Sequence, residues 1–197
     1  MTLGVGGSSV EQELGKLRSM RDGVSPIGDE ERAGRVARAQ ALMRKQGIQA
    51  LYLDASTSTF YFTGLRFHGS ERLHGVVVPA EGDLVHISPT FEEAKLRSMM
   101  TRNETVRCWQ ENENPAELVI DVVRGMGSPG GVIAIDPATP FFRFDALRRA
   151  GNAYSFVNGG IVTDACRRIK SPNEIALIKA AMGLTLQVQQ ATASILR

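Results

Sequence analysis

The chain alternates segments of helical periodicity with short, nearly continuous apolar runs, and this alternation restricts the fold more than any other feature. Ala50-Leu51-Tyr52-Leu53, Gly75-Val76-Val77-Val78, Leu84-Val85-His86-Ile87 and Val132-Ile133-Ala134-Ile135 are runs of this kind. They are too short for buried helices and most lack polar alternation, so they read as strands covered on both faces. Thr105–Trp109 and Tyr154–Val157 read as two more. Between them the spacing predicts a helix from Asp29 to about Gln46, with Val36, Ala39 and Met43 inward and Gly47 closing it. A helical turn over 56–63 ends at Gly64. Thr90, with Glu93 three residues on, predicts a capping box and a helix to about Met100. Asn114 and Pro115 open a helix whose Leu118, Val119, Val122 and Val123 face inward, and a further helix lies near Phe141–Ala150. One strand pair alone is joined by a hairpin, through Pro79-Ala80-Glu81-Gly82-Asp83. The expected class is α/β, a mixed β-sheet flanked by helices.

The two ends read differently from this middle. Residues 1–28 carry Gly4, Gly6, Gly7, Gly23 and Gly28 and read as an N-terminal tail, with a short helix around Glu11–Met20 as an oligomer contact. At the other end Ser171 is a helix cap, Pro172 suits the first helical position and Glu174 completes a capping box. Ile175, Ile178, Met182, Thr185, Val188, Thr192 and Ile195 follow at spacings of three or four, a mostly apolar stripe. Run to Arg197, that helix is roughly 39 Å long at about 1.5 Å per residue. It reads as the first helix of a further domain, which divides the chain into a tail (1–28), a central domain (29–168) and a linker with helix (169–197).

At 197 residues the length suits one domain with appendages. The 23 basic and 21 acidic residues are interspersed, without the clustered basic face of a nucleic-acid binder. No run has the length of a membrane span or the pattern of a signal peptide, and two cysteines are too few for a disulfide scaffold. A cytoplasmic protein with free thiols at Cys108 and Cys166, and with neither nucleic acid nor membrane as partner, is expected.

Gly125-Met126-Gly127-Ser128-Pro129-Gly130 matches G-x-G-x-x-G in letters. A dinucleotide site needs that loop after a strand and before a helix, whereas here it follows a helix and precedes a strand, so it reads as a helix end and turn. His86 within its apolar strand and His74 at a strand start read as structural histidines. No metal site can be assigned. Tyr61 and Phe62 read as a core turn packed on the first helix, and Trp109 as either core or groove wall.

Two motifs carry a family resemblance. Arg167-x-Ile169-Lys170-Ser171-Pro172-x-Glu174-Ile175 resembles the boundary of creatinase, prolidase and aminopeptidase P proteins, where a Pro-x-Glu helix opens the catalytic pita-bread domain. Tyr61-Phe62-Thr63-Gly64, with Glu71-Arg72 downstream, resembles the Tyr-Leu-Thr-Gly turn of that family's N-terminal domain. The resemblance implies the N-terminal domain fold, a mixed sheet with a ribonuclease H-like motif. It also implies that two divalent metals (manganese, cobalt or zinc), held by two Asp, one His and two Glu, belong to the pita-bread domain of the longer protein.

The loop Leu65–Arg72 is the best functional candidate. In prolidases and aminopeptidases it approaches the neighbouring subunit's active site, and the resemblance gives Arg66, His68, Glu71 and Arg72 a place at the substrate entrance or subunit interface. A guanidinium holds a carboxylate bidentately, and a carboxylate receives an ammonium. A Glu71–Arg72 surface pair that merely tethers the loop is the competing reading. Where a prolidase carries Asp-x-His before Glu-Arg, this chain has His68-Gly69-Ser70, a departure that weakens transfer of a substrate-selecting role.

The expected function is therefore the non-catalytic N-terminal domain of a prolidase-type Xaa-Pro dipeptidase, serving oligomerisation as a homodimer and limiting access to short Xaa-Pro peptides. By itself this chain is expected to be inactive. The N-terminal domain of an aminopeptidase P or creatinase is the enzymatic alternative. A non-catalytic peptide- or protein-binding module of the same fold, as in histone-chaperone subunits, is the alternative of another class.

Overall fold

The computed structural model describes residues 3–127 and 129–196. The chain divides into two compact units, Gly28–Ile169 and the two ends, Met1–Ile27 with Lys170–Arg197. In chain order the helices are α1 (Val10–Lys16), α2 (Asp29–Lys45), α3 (Thr57–Thr63), α4 (Glu93–Met99), α5 (Pro115–Arg124), α6 (Phe141–Ala150), α7 (Gly160–Arg167) and α8 (Pro172–Ile195). The strands are β1 (Ile48–Asp54), β2 (Gly75–Pro79), β3 (Val85–Pro89), β4 (Thr105–Trp109), β5 (Val132–Ile135) and β6 (Ser155–Asn158).

The strands form one mixed sheet in the order β4-β3-β2-β1-β5-β6. β1 is parallel to β5 and β5 to β6, β3 is parallel to β4, and β2 is antiparallel to both neighbours. All strands but β2 therefore point the same way, and their carboxyl ends share one edge of the sheet. The hairpin pairs Gly75 with Ile87 and Val77 with Val85, and Gly82 supplies the positive φ of 98° that its turn requires.

Alternation along each strand sorts the core into two layers. Ala50, Tyr52, Val77, Ile133 and Ile135 face one side, where Val119, Ile120 and Val123 of α5 and Leu147 of α6 cover them. Leu51, Leu53, Val76, Val78 and Ala134 face the other, against Val36, Ala39 and Met43 of α2, Phe62 of α3, and Val162 and Cys166 of α7. Each fully buried Leu, Ile or Val contributes about 1.5–3 kcal/mol relative to exposure. Because both faces are covered, β1, β2 and β5 read as unbroken apolar runs.

Two local expectations need correction, and one helix had no counterpart in the sequence reading. Thr90 does not cap a helix: it opens a 3₁₀ turn, Thr90–Glu92, its hydroxyl donates to the Trp109 carbonyl at 3.1 Å, and α4 begins only at Glu93. Helix α7 is unannounced in the sequence, since Gly159 at its N-cap offers no side-chain acceptor; the Asn158 side chain accepts from Gly160 N at 2.8 Å instead. Gly159 is required by packing, because a Cβ there would lie 2.8 Å from the Ile135 carbonyl oxygen and 2.9 Å from Leu51 Cδ1. The last strand starts at Ser155, Tyr154 being held in a turn by Gly151.

In the second unit, Ser171 and Glu174 form the capping box of α8, and Ser9 with Gln12 forms one for α1. Within residues 1–28 the short helix expected around Glu11–Met20 runs over Val10–Lys16, starting one residue earlier and ending four sooner. Val5 N donates to the Leu196 carbonyl at 2.7 Å, and Gly4 and Gly6 lie so close to the Ile195 and Ser194 backbone that a Cβ at either would overlap it. No described residue of α8 is buried, and Ile175, Ile178, Met182 and Val188 of the apolar stripe are exposed.

Candidate functional site

Because β2 alone runs backwards, its amino end meets the carboxyl ends of the other strands, and the segment leading into it, 65–74, lies along that edge. Strand β1 delivers Asp54 there, the turn after β3 delivers Phe91 and Glu92, the segment after β4 delivers Glu111, and β5 delivers Asp136 and the start of α6. The loop begins at Gly64, whose φ of 77° ends α3, and Gly64 N donates to the Phe60 carbonyl at 2.8 Å. Leu65 and Leu73 are buried and pin the two ends.

The structure brings Glu71 and Arg72 together, but not all four candidates. Arg72 Nη1 lies 2.6 Å from Glu71 Oε1, its Nε donates to Glu111 Oε1 at 2.9 Å, and its guanidinium carbon is 5.2 Å from the Phe91 ring centre. Among the described residues Nη2 of Arg72 has no acceptor. Arg66 stacks on Phe60 at 4.9 Å, away from this pair. His68 is exposed, and no hydrogen bond or ion pair joins it to Arg66, Glu71 or Arg72 among the described residues. The neighbouring Phe67 stacks on His74, with ring centres 4.6 Å apart and planes 14° from parallel.

The underside of the loop is held by groups that the sequence did not single out. Arg143, from α6, is 7% exposed. Its Nη2 donates to the carbonyls of Ser70 at 3.2 Å and Arg72 at 3.1 Å, its Nη1 to that of Glu71 at 3.4 Å, and its Nε to Asp54 Oδ2 at 3.4 Å. Burial pushes the Asp54 carboxyl upward, against the Ala55 amide and the Arg143 charge. Asp136 is likewise pushed up by burial although Ser58 and Ser56 donate to it at 2.9 and 3.0 Å. The signal for these residues was available: Asp54 and Asp136 each end an apolar strand, and Arg143 lies one helical turn before the buried Leu147.

The histidines take structural places. His86 Nε2 is 2.5 Å from Glu104 Oε2, and Glu104, pushed up by burial, is pulled below its ordinary range by His86 and Arg102. His74 is pushed down by burial against the pull of Glu92, whose carboxylate lies 3.4 Å from Nε2. Trp109 is buried and ties the loop's end, Nε1 donating to the Leu73 carbonyl at 3.1 Å. Phe62 is wholly buried against α2, and the Tyr61 hydroxyl donates to the Cys166 carbonyl at 3.0 Å.

Among the described residues no group of three or more His, Cys, Asp and Glu converges as a metal site, so the acidic residues here do not fit a two-metal centre and no hydrolytic step is derived through one. The glycine-rich stretch from Gly125 lies between α5 and β5, helix before strand, which no dinucleotide loop does; its Ser128 lies outside the described residues. No described helix is long and apolar enough to cross a membrane. The arrangement can bind and orient: it presents an arginine with a donor to spare, two carboxylates and exposed aromatic rings on one edge.

Comparison with known proteins agrees with this architecture. The recombinant prolidase of Thermococcus sibiricus superposes with a TM-score of 0.67 at 25% identity, over 77% of this chain and 40% of that one. Dipeptidase PepE from Mycobacterium ulcerans gives 0.70 at 24% identity over the same shares. The N-terminal domain of Xaa-Pro dipeptidase from Lactobacillus brevis gives 0.60 at 21% identity, covering 68% of this chain and 99% of that one. A Bacillus subtilis (strain 168) protein named "Putative dipeptidase YkvY" is 25% identical over 151 residues, 76% of this chain but 41% of its own length. The chain thus spans about two-fifths of the longer relatives. The model of the Creatinase/Prolidase N-terminal domain matches residues 35–169, nearly coextensive with the unit Gly28–Ile169. By that match the chain belongs to the creatinase/prolidase N-terminal domain family.

Proposed function

We propose that this chain is the non-catalytic N-terminal domain of a prolidase-type Xaa-Pro dipeptidase, and that its loop Leu65–Arg72 borders the path by which short peptides reach the hydrolytic centre. The observation that carries the reading is the family match over 35–169, which nearly coincides with one compact unit, and dipeptidase-named relatives match the chain over about two-fifths of their own length. The loop fits the role chemically. Among the described residues its Arg72 keeps one nitrogen without an acceptor beside two carboxylates, a pairing suited to a zwitterionic dipeptide. The divalent metals and their ligands are assigned to the part of the longer protein that this chain does not match, and the assembly is proposed as a homodimer in which one subunit's loop faces its neighbour's centre.

The test is direct. Purified chain is incubated with Gly-Pro and Ala-Pro dipeptides with and without added manganese, and free proline is measured. Release at the background rate is expected in both cases. Manganese-dependent turnover by this chain alone would refute the non-catalytic assignment.

A further inference from the structure

A buried arginine whose side-chain hydrogen bonds among the described residues go to main-chain carbonyls and one carboxylate is costly unless those bonds are in place. Arg143 is such a residue. It leaves an otherwise aromatic stretch, Phe141-Phe142-Arg143-Phe144, and enters the base of the candidate loop, meeting three consecutive carbonyls (Ser70, Glu71, Arg72) and Asp54. We propose that Arg143, seated by Asp54, is the positioning residue of the access loop: by gathering the carbonyls of 70–72 inward it turns the side chains of Glu71 and Arg72 outward and sets Arg72 against Glu111.

The coupling runs both ways. Without the loop carbonyls the guanidinium would be buried with only Asp54 to meet its five N–H donors. Without the guanidinium the Ser70 and Glu71 carbonyls and Asp54 Oδ2 would lose the donor they share, and the Arg72 carbonyl would keep the Ser70 hydroxyl at 3.2 Å. Cheaper anchors hold the rest of the loop: buried Leu65 and Leu73, the Phe67–His74 stack and the Ser70 hydroxyl, which accepts from Arg72 N at 3.2 Å. None of these contacts three consecutive carbonyls. The orientation of Arg72 therefore depends on a buried residue 71 positions away. The role in substrate access rests on the dipeptidase reading above; the positioning itself does not.

The experiment uses the whole chain and two readouts that involve no peptide substrate. The first is the Nε–H resonance of Arg72, assigned by its loss in Arg72→Lys and expected to be slowed in exchange by its bond to Glu111. The second is the rate of tryptic cleavage after Arg66 and Arg72 relative to that after Arg97 on α4. In Arg143→Met the resonance is expected to move to the solvent-exchanged position it adopts in Glu111→Gln. Loop cleavage is expected to rise at least about tenfold while cleavage after Arg97 changes less than about twofold, with Arg143→Lys intermediate. A folded Arg143→Met protein that keeps the Arg72 signal, or one in which loop and α4 sites accelerate together, overturns the proposal. Should Arg143→Met fail to fold, Asp54→Asn is read by the same two measurements. A smaller loop-confined acceleration supports the seating role of Asp54, and an unchanged loop overturns it. Proline release in the assay above would sink the functional reading and leave these readouts standing.

Discussion

Tyr52 lies in β1 with no exposed surface, and among the described residues its hydroxyl has no hydrogen-bond partner. Burial, followed by the nearby Asp54 charge, pushes its phenol well above the ordinary range, which keeps it neutral. A paired buried hydroxyl contributes roughly 0.5–1.5 kcal/mol, so Tyr→Phe normally costs stability. Here the sign should reverse. An unpaired buried polar group costs about 1–3 kcal/mol, and removing the oxygen while keeping the ring recovers part of that without opening a cavity for the ring itself. The ring must stay: a Cβ on Gly75 would sit 2.7 Å from Tyr52 Cε2, so the aromatic edge occupies the space that this glycine vacates. We expect Tyr52→Phe to stabilise the central unit by about 1 kcal/mol, which for a unit of its size raises Tm by roughly 3–4 °C. Thermal unfolding followed by circular dichroism measures it, with urea titration as a check that the m-value is unchanged. A fall in Tm of 2 °C or more would show that the hydroxyl is paired, and the reasoning from an orphaned oxygen would be wrong.

Two further outcomes follow from groups around the sheet. Glu104 is held below its ordinary value of 4.5 because His86 and Arg102 outweigh the effect of burial, so its stabilisation is present above pH 4.5 and is lost as pH falls through its lower folded-state value. Glu104→Gln should lower stability at pH 7 by roughly 1 kcal/mol and flatten the acid limb of a stability–pH curve below pH 4.5; an acid limb as steep as wild type would show that another carboxylate carries it. Gly64→Ala places a Cβ in a left-handed conformation and against the Arg32 guanidinium, 2.5 Å from Cζ, a flexible group that can yield. The expected loss is about 1–2 kcal/mol from backbone strain, measured by urea unfolding, and a neutral result would mean that the α3 terminus relaxes.

What the sequence made legible, and what it hid, has a physical pattern. The core strands declare themselves because both faces are covered, so every position from Ala50 to Leu53 or Val132 to Ile135 must be apolar. The boundary of α8 was legible because its cap is a side-chain bond between Ser171 and Glu174, two letters at fixed spacing. The same spacing misled at Thr90, whose hydroxyl is taken by the Trp109 carbonyl across the β3–β4 connection, a competitor that no local pattern reveals. Helix α7 hid for the complementary reason: its start is fixed by how closely Gly159 must approach Ile135 and Leu51. Arg66, His68, Glu71 and Arg72 were found as letters in a loop, yet the bonds that shape that loop end on carbonyl oxygens, and carbonyls carry no letter at all.

That last point bears on where the chemistry of this fold lies. In sheets of this kind ligands settle at the carboxyl edge where connections diverge, and here the divergence falls between β1, which leads to β2 on one side, and β5, which leads to β6 on the other. Asp54 and Asp136 stand at the ends of those two strands, where a bound ligand would be sought first. Both are already engaged by their own chain, Asp54 by Ala55 N and Arg143, Asp136 by Ser56 and Ser58. A buried carboxylate with an internal donor on each oxygen is a structural anchor, since freeing it for a ligand would strand those donors. The two carboxylates are thus engaged internally, Asp136 by the start of α3 and Asp54 by the Arg143 guanidinium that also meets the carbonyls of 70–72. On the proposed reading, a ligand meets the outer surface of that loop, where the Glu71 and Arg72 side chains are 78% and 40% exposed.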